Sequence, residues 1–344
     1  MPRVAILGTG LIGTSIGLRL KSHGRTEDLS IVGWDRRRDN AREARDRNAI
    51  DEVARTVEEA VRGAWLIVIA APVLAIRDLL EQIGEAAGEG IVAENAVVTD
   101  TGSTKAEVMR WAADALPSTV SFVGGHPMAG RTEAGPTAAD GDLFEGARWV
   151  LVPAVTASEG SVETVTSLLN TMGAEPMLMD AQEHDAYVAA VSHVPLAAAV
   201  ALFSLVRDSE AWPEMSMLAS SGFLGATRLA ESDTSMAYDI LVTNREQVAH
   251  WLGRYGEAIA EFREHLLDER GGESLFRFLG EANLDYARLA AGDVGRDAWT
   301  TSPAGVPSIS AFDMLLGGAL AEKMRDWRES TDADEEPTSR RRLR

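Results

Sequence analysis

Three groups of residues carry types and spacings that chemistry requires. The first is Gly8-Thr9-Gly10-Leu11-Ile12-Gly13, which follows the apolar run Val4–Leu7 and opens a stretch with helical spacing from Leu11 to Ser22. Between a strand and a helix, Gly8 permits the tight turn, Gly10 lets a pyrophosphate approach the backbone, and Gly13 lets the helix pack closely on the strand. The helix N-terminal amides from Leu11 and Ile12 onward then face phosphate. The next apolar run, Ser30–Trp34, leads to Asp35, 22 residues after Gly13. A carboxylate there accepts hydrogen bonds from both adenosine ribose hydroxyls. The combination predicts a dinucleotide site and favours NAD over NADP, because the same carboxylate repels a 2′-phosphate. Arg36, Arg37 and Arg38 follow directly and would attract that phosphate if Asp35 turned away.

The second group is Asp100-Thr101-Gly102-Ser103-Thr104-Lys105, where another strand ends and a helix begins. Ligands sit at the carboxyl ends of parallel strands. Ser103 is expected there as a helix N-cap whose hydroxyl is also open to a ligand. The third is Gly124-Gly125-His126-Pro127-Met128-Ala129-Gly130, expected on a loop at the same sheet edge. Imidazole titrates near neutrality, so His126 is the candidate for proton transfer. Further along, His184-Asp185 and Ser192-His193 share one expected helix, with Asp185, Ala189, Ser192 and Leu196 on one face. His193 alone reads as a packing histidine. Arg228 lies among small apolar residues, a setting for bidentate binding of a carboxylate or for a surface ion pair. No histidine–carboxylate spacing suggests zinc or non-haem iron, so no metal is expected.

The elements that must position these groups are legible as well. Up to residue 180, short apolar runs (Val4–Leu7, Ser30–Trp34, Leu66–Ala70, Ala96–Thr99, Val120–Val123, Trp149–Val152, Pro176–Met179) alternate with helical stretches. That alternation predicts an α/β, Rossmann-type, doubly wound and mostly parallel sheet. From 181 to 292 the chain is rich in Ala, Leu, Glu and Arg with few β-branched runs, and an all-helical domain is expected. Residues 293–330 form an expected C-terminal extension and 331–344 an expected disordered tail.

Composition narrows the classes. The 344 residues carry 33 Lys plus Arg against 53 Asp plus Glu, a net charge of −20, which disfavours nucleic acid and anionic membranes. With no cysteine, disulfides, thiolate metal sites and cysteine nucleophiles are excluded, and a reducing compartment fits. No leader pattern and no run of 18 uninterrupted apolar residues occurs, so a cytoplasmic location without a membrane partner is expected.

Taken together, the segments resemble the prephenate/arogenate dehydrogenase family of tyrosine biosynthesis over most of residues 3–290. The resemblance is carried by G-T-G-L-I-G, D-T-G-S-T-K at 100–105, and G-G-H-P-M-A-G at 124–130 with Gly135 and Leu143-Phe144 after it. It continues through H-D at 184–185, S-H-V-P at 192–195, G-F-x-x-x-T-R at 222–228, Ser232-Asp233 and Asp239-Ile240. It implies a Rossmann domain, a helical dimerisation domain forming a homodimer, and NAD-dependent oxidative decarboxylation. By resemblance His126 takes the proton of the ring 4-hydroxyl, Ser103 orients that hydroxyl, Ser192 lies near the nicotinamide, and Arg228 holds a substrate carboxylate. Three positions depart from members that use prephenate: Leu196 replaces a second histidine, Leu224 a lysine, and Ala237 a tryptophan. Prephenate is the expected substrate. Arogenate is the alternative, and a non-catalytic NAD-binding regulator is the rival outside enzymes.

Overall fold

The computed structural model describes residues 1–23, 29–131, 133–267 and 272–294. Among them are eight strands: β1 (Arg3–Leu7), β2 (Ser30–Trp34), β3 (Glu52–Val53), β4 (Ala64–Ile69), β5 (Val97–Asp100), β6 (Ser121–Pro127), β7 (Arg148–Pro153) and β8 (Glu175–Leu178). They form one sheet in the order β3-β2-β1-β4-β5-β6-β7-β8, parallel everywhere except between β6 and β7. The helices of this half are α1 (Leu11–Ser22), α2 (Arg38–Asp46), α3 (Val57–Val61), α4 (Val73–Gly88), α5 (Ala106–Ala115) and α6 (Glu159–Thr171).

Period-two alternation explains why both faces are covered. Along β1, Ala5 and Leu7 join a core with Val57, Ile76, Leu80 and Trp111, from helices α3, α4 and α5. Val4 and Ile6 point the other way, into a core with Ile16, Ala41 and Leu169 from α1, α2 and α6. A strand buried on both faces has no polar side, which is why β1 reads as an unbroken apolar run. Strand order reverses at β1, whose neighbours are β2 and β4, so a crevice opens beyond its carboxyl end where Gly8 sits. The sequence did not reveal β3 or α3, since two and five residues are too short to show a period.

One helical path runs from Ala181 to Arg207 as α7 (Ala181–Val188), a π-helical turn (Ala189–His193) and α8 (Val194–Arg207). After it come α9 (Trp212–Leu218), α10 (Ser221–Thr227), a 3-10 turn (Arg228–Glu231), α11 (Thr234–Thr243), α12 (Arg245–Leu267) and α13 (Gly272–Ala290). The π turn breaks the predicted face. Its wider winding leaves Asp185, Ala189 and Leu196 buried but exposes Ser192 and turns His193 inward instead.

The chain divides into two compact units, Met1–Ile259 and Ala260–Arg344. The expected boundary at 180 falls inside the first. Within the second, Phe262 and Phe278 pack edge to face with ring centroids 6.0 Å apart. The expected tail and most of the expected extension lie outside the described residues. In the helical half of the first unit the buried core is small, Ala189, Val194 and Val248 with Leu241 and Trp251 against it, whereas Val191, Leu205, Met217 and Leu218 are exposed. The 27 residues from Ala181 to Arg207 are long and apolar enough to cross a membrane by length and composition, with 33% of their 18-residue apolar window buried in the protein.

Candidate active site

The glycine turn has the geometry its sequence implies. Gly8 takes φ +98°, a left-handed conformation that favours glycine, and a Cβ there would lie 2.2 Å from the Ala70 carbonyl oxygen. A Cβ on Gly13 would lie 1.9 Å from the Gly8 oxygen, so helix α1 can sit this close to β1 only with glycine. Gly10 is different: a Cβ would meet nothing within 4 Å, leaving open space over the first turn of α1. That turn has neither a side-chain cap nor an acidic residue, so its amides remain available to an anion. Leu11 and Ile12 are half-buried at its start.

Asp35 stands at the end of β2, as predicted. Its Oδ2 accepts from the Thr9 backbone N–H at 2.8 Å, and its Oδ1 accepts from the Arg37 N–H at 2.7 Å. Two longer contacts share these oxygens, Thr9 Oγ1 on Oδ2 and Asn40 Nδ2 on Oδ1, both at 3.3 Å, so the carboxylate is fixed beside the glycine turn and a ribose hydroxyl would displace one of these weaker donors. Arg36, Arg37 and Arg38 are exposed, and none forms an ion pair among the described residues.

The group built around Asp100 holds the next two segments together. Asp100 and Lys105 are both fully buried and form a salt bridge. Asp100 also accepts from the N–H groups of Gly102, at 2.7 Å, and Gly125, at 3.0 Å. One carboxylate therefore ties the end of β5, the turn carrying Ser103 and the strand carrying His126. Burial lowers the Lys105 ammonium below its ordinary range, against the raising influence of Asp100 and Asp185.

His126 lies in strand β6 opposite Val150 of β7, not on a loop. β6 leaves β5 after Val123 and continues beside antiparallel β7, carrying the imidazole to the sheet edge. Gly125 is required for this path, because a Cβ would lie 2.5 Å from the Asp100 carbonyl oxygen and 2.9 Å from Trp149 Nε1. Ser103 is likewise not the N-cap of α5. The amides of Lys105 and Ala106 are capped by the Asp185 carboxylate, at 2.8 and 2.9 Å. The Ser103 hydroxyl has no partner among the described residues and stays open to a ligand.

Three histidines meet here. His126 Nδ1 lies 2.9 Å from His184 Nε2, and His184 Nδ1 lies 2.8 Å from Asp185 Oδ1. Burial, reinforced by His184, Lys105 and His193, pushes His126 well below the usual imidazole range, so it is neutral at pH 7. His193 is lowered to about 4, by burial first, with Asp185 opposing and His184 assisting. Asn244 Nδ2 donates to the Asp185 carbonyl at 2.7 Å and to His193 Nδ1 at 3.1 Å, fixing the lone pair of that neutral ring on Nδ1. From α11, the Asp239 carboxylate accepts from Leu74 N at 3.1 Å and caps α4. The helical residues thus dock on the sheet by lending carboxylates to two helix N-termini.

Of the predicted residues, Gly8, Gly10, Gly13 and Asp35 form one cradle, and His126 lies beside the turn of Ser103. Ser192 and Arg228 are exposed, and no hydrogen bond or ion pair joins either to the histidine cluster among the described residues. Asp100, Lys105, His184, Asp185 and Asn244 were not predicted as site residues. The adjacent His184-Asp185 pair and a lone lysine at a strand end in a chain dominated by arginine were the available signals; Asn244 offered none.

Comparison with known proteins identifies the family. Residues 16–178 match the family model of the prephenate dehydrogenase nucleotide-binding domain, and residues 180–281 match that of its dimerization domain. Prephenate dehydrogenase of Bacillus subtilis is 35% identical over 286 residues, 82% of this chain and 74% of the relative. Cyclohexadienyl dehydrogenase of Zymomonas mobilis is 28% identical, covering 83% of this chain and 95% of its own. Among solved structures, prephenate dehydrogenase from A. aeolicus, in complex with hydroxyphenyl propionate and NAD+, superposes with a TM-score of 0.76 at 27% identity, covering 84% of this chain and 98% of that one. A glycine cradle, a buried neutral histidine at the edge of the same sheet and two consecutive domain matches lead to one conclusion: the chain belongs to the prephenate dehydrogenase family.

Proposed function

We propose that the protein catalyses the NAD-dependent oxidative decarboxylation of prephenate to 4-hydroxyphenylpyruvate, the aromatising step toward tyrosine. The observation that carries this reading is His126: buried, neutral, hydrogen-bonded on one ring nitrogen only among the described residues, and carried past the end of β5 in the same sheet as the glycine turn. Open space at Gly10, the uncapped turn of α1 and the fixed Asp35 carboxylate fit a dinucleotide, with Gly8, Gly10, Leu11, Ile12 and Gly13 around the pyrophosphate and Asp35 on the ribose. Bound NAD supplies the hydride acceptor.

His126 accepts the 4-hydroxyl proton through Nε2 as the ring carbon loses hydride, and Ser103 orients that hydroxyl. The ring carboxylate leaves as carbon dioxide, and its bonding electrons complete the aromatic ring. Ser192 and Arg228 take their roles by family resemblance, the guanidinium on a substrate carboxylate. Arg228 is exposed and pairs with no acid among the described residues, which leaves it free for one.

Arogenate is the second reading. Leu196, Leu224 and Ala237 supply neither donor nor cation where many prephenate users have them, which weakens the hold on a keto-acid side chain. We further infer a division into a dinucleotide-binding domain, 1–180, and a helical domain, 181–292. The exposed apolar residues of α8 and α9 would be covered by a second copy in a cytoplasmic homodimer. His126→Asn tests the assignment: kcat should fall about 10²–10⁴-fold while NAD affinity is kept. Unchanged turnover in this variant contradicts it.

A further inference from the structure

The hydrogen-bond chain behind His126 goes beyond the assigned catalytic group. Asp185 is buried, and its carboxylate has only acceptors to offer. It already receives the N–H groups of Lys105 and Ala106, which anchor it to the start of α5. The ring nitrogen facing it, His184 Nδ1, must therefore be the protonated one. In neutral His184 the lone pair then lies on Nε2. That atom faces Nδ1 of His126 at 2.9 Å, with the two rings inclined at 75°. Two lone pairs cannot hold this contact, so the proton of neutral His126 must reside on Nδ1. The lone pair of His126 consequently lies on Nε2, the nitrogen with no hydrogen-bond partner among the described residues.

We infer that His184, oriented by Asp185, is a positioning residue that fixes His126 in its Nδ1-protonated tautomer and so presents Nε2 as the base. The inference rests on the dehydrogenase reading above. When the substrate O–H bond breaks, its proton joins His126 Nε2, and the Nδ1 proton remains shared with His184 Nε2. The positive charge that develops on His126 is thereby spread toward the Asp185 carboxylate. No other bond is made or broken in the relay. Without an acceptor at Nδ1 the ring gains access to the other tautomer and to rotation, both of which remove the base from the substrate. A serine hydrolase that loses the carboxylate behind its histidine fails in the same way.

Three side chains at position 184 and one spectrum test the inference. Glutamine reaches the position of Nε2 with an amide oxygen and still accepts from His126; leucine and asparagine do not. We expect His184→Gln to keep kcat within about tenfold of wild type. His184→Leu and His184→Asn should lose about 10²-fold or more in kcat, with KM and NAD affinity little changed. In protein labelled with 15N-histidine, His126 is one of six ring systems and is assigned by its absence in His126→Asn. Its Nδ1 should be of the protonated type and its Nε2 of the unprotonated type at pH 7.5, with this preference lost in His184→Leu. If His184→Leu fails to fold, by melting temperature, the wild-type spectrum and His184→Gln decide alone. A proton on Nε2 of His126 in the wild type, or equal kcat in all three variants, overturns the inference. Wild-type protein that turns over neither prephenate nor arogenate would refute the functional reading instead, while the spectrum still decides the tautomer.

Discussion

Asp100→Asn is the perturbation whose magnitude the structure fixes best. Asp100 and Lys105 are both fully shielded from solvent, and the carboxylate is the direct partner of the ammonium. Removing one member of such a pair leaves an uncompensated buried charge, which destabilises by about 3–5 kcal/mol. The folded-to-unfolded ratio then falls by about two to nearly four decades. Asparagine also keeps only one acceptor oxygen for the amides of Gly102 and Gly125, so the turns bearing Ser103 and His126 lose a shared anchor. Urea unfolding followed through the fluorescence of buried Trp149 and Trp111 measures the loss as a shift in midpoint at constant slope. Burial already lowers Lys105 below 10.5, and losing Asp100 lowers it further. The unfolded chain then binds a proton that the folded chain does not. The deficit should therefore shrink as pH rises toward 10.5. Asp100→Asn combined with Lys105→Met removes both charges and should recover to within about 2 kcal/mol of wild type. A single-variant loss below about 1 kcal/mol, or a double variant no better than Asp100→Asn, refutes the reasoning.

Gly10→Ala and Gly13→Ala should separate binding from folding. The first meets no atom within 4 Å and should melt like wild type while binding NAD at least tenfold more weakly in a fluorescence titration. The second meets the Gly8 oxygen at 1.9 Å and should lose about 1–3 kcal/mol of stability. Asp35→Ser should lower the KM for NADP relative to NAD in initial-rate assays, because it removes the carboxylate beside Arg36, Arg37 and Arg38, which pair with no acid among the described residues. His193, held at about 4 against an ordinary 6.5, binds fewer protons folded than unfolded between those values. Its contribution is complete above pH 6.5 and is lost as pH falls toward 4, by about 3 kcal/mol. Urea midpoints of His193→Asn should therefore fall less over that interval than those of the wild type.

Apart from β3, the sheet half was legible because its strands are buried on two faces or lie between clear helical stretches. Ser30–Trp34 and Leu11–Ser22 coincide with the observed elements. The misreadings came from effects that leave no local period. The antiparallel pairing of β6 with β7 comes from a long-range contact, and it makes a strand of the glycine-rich segment around His126. A π turn admits one more residue per turn and exchanges the positions of Ser192 and His193, which no 3.6-residue pattern anticipates. The cap of α5 comes from Asp185, 80 residues downstream, so the serine at the expected N-cap is free for other work. The glycine turn and the Asp35 carboxylate beside it were readable because both are set by local backbone demands. The Asp185–His184–His126 chain was not, because it exists only once the helical residues dock on the sheet.

Initial rates of NADH formation by the purified protein, with prephenate and with arogenate, each against NAD and NADP, test the central claim most directly. The account predicts turnover of prephenate with NAD, and its collapse in His126→Asn. Silence in all four combinations by a protein that still binds NAD would contradict it.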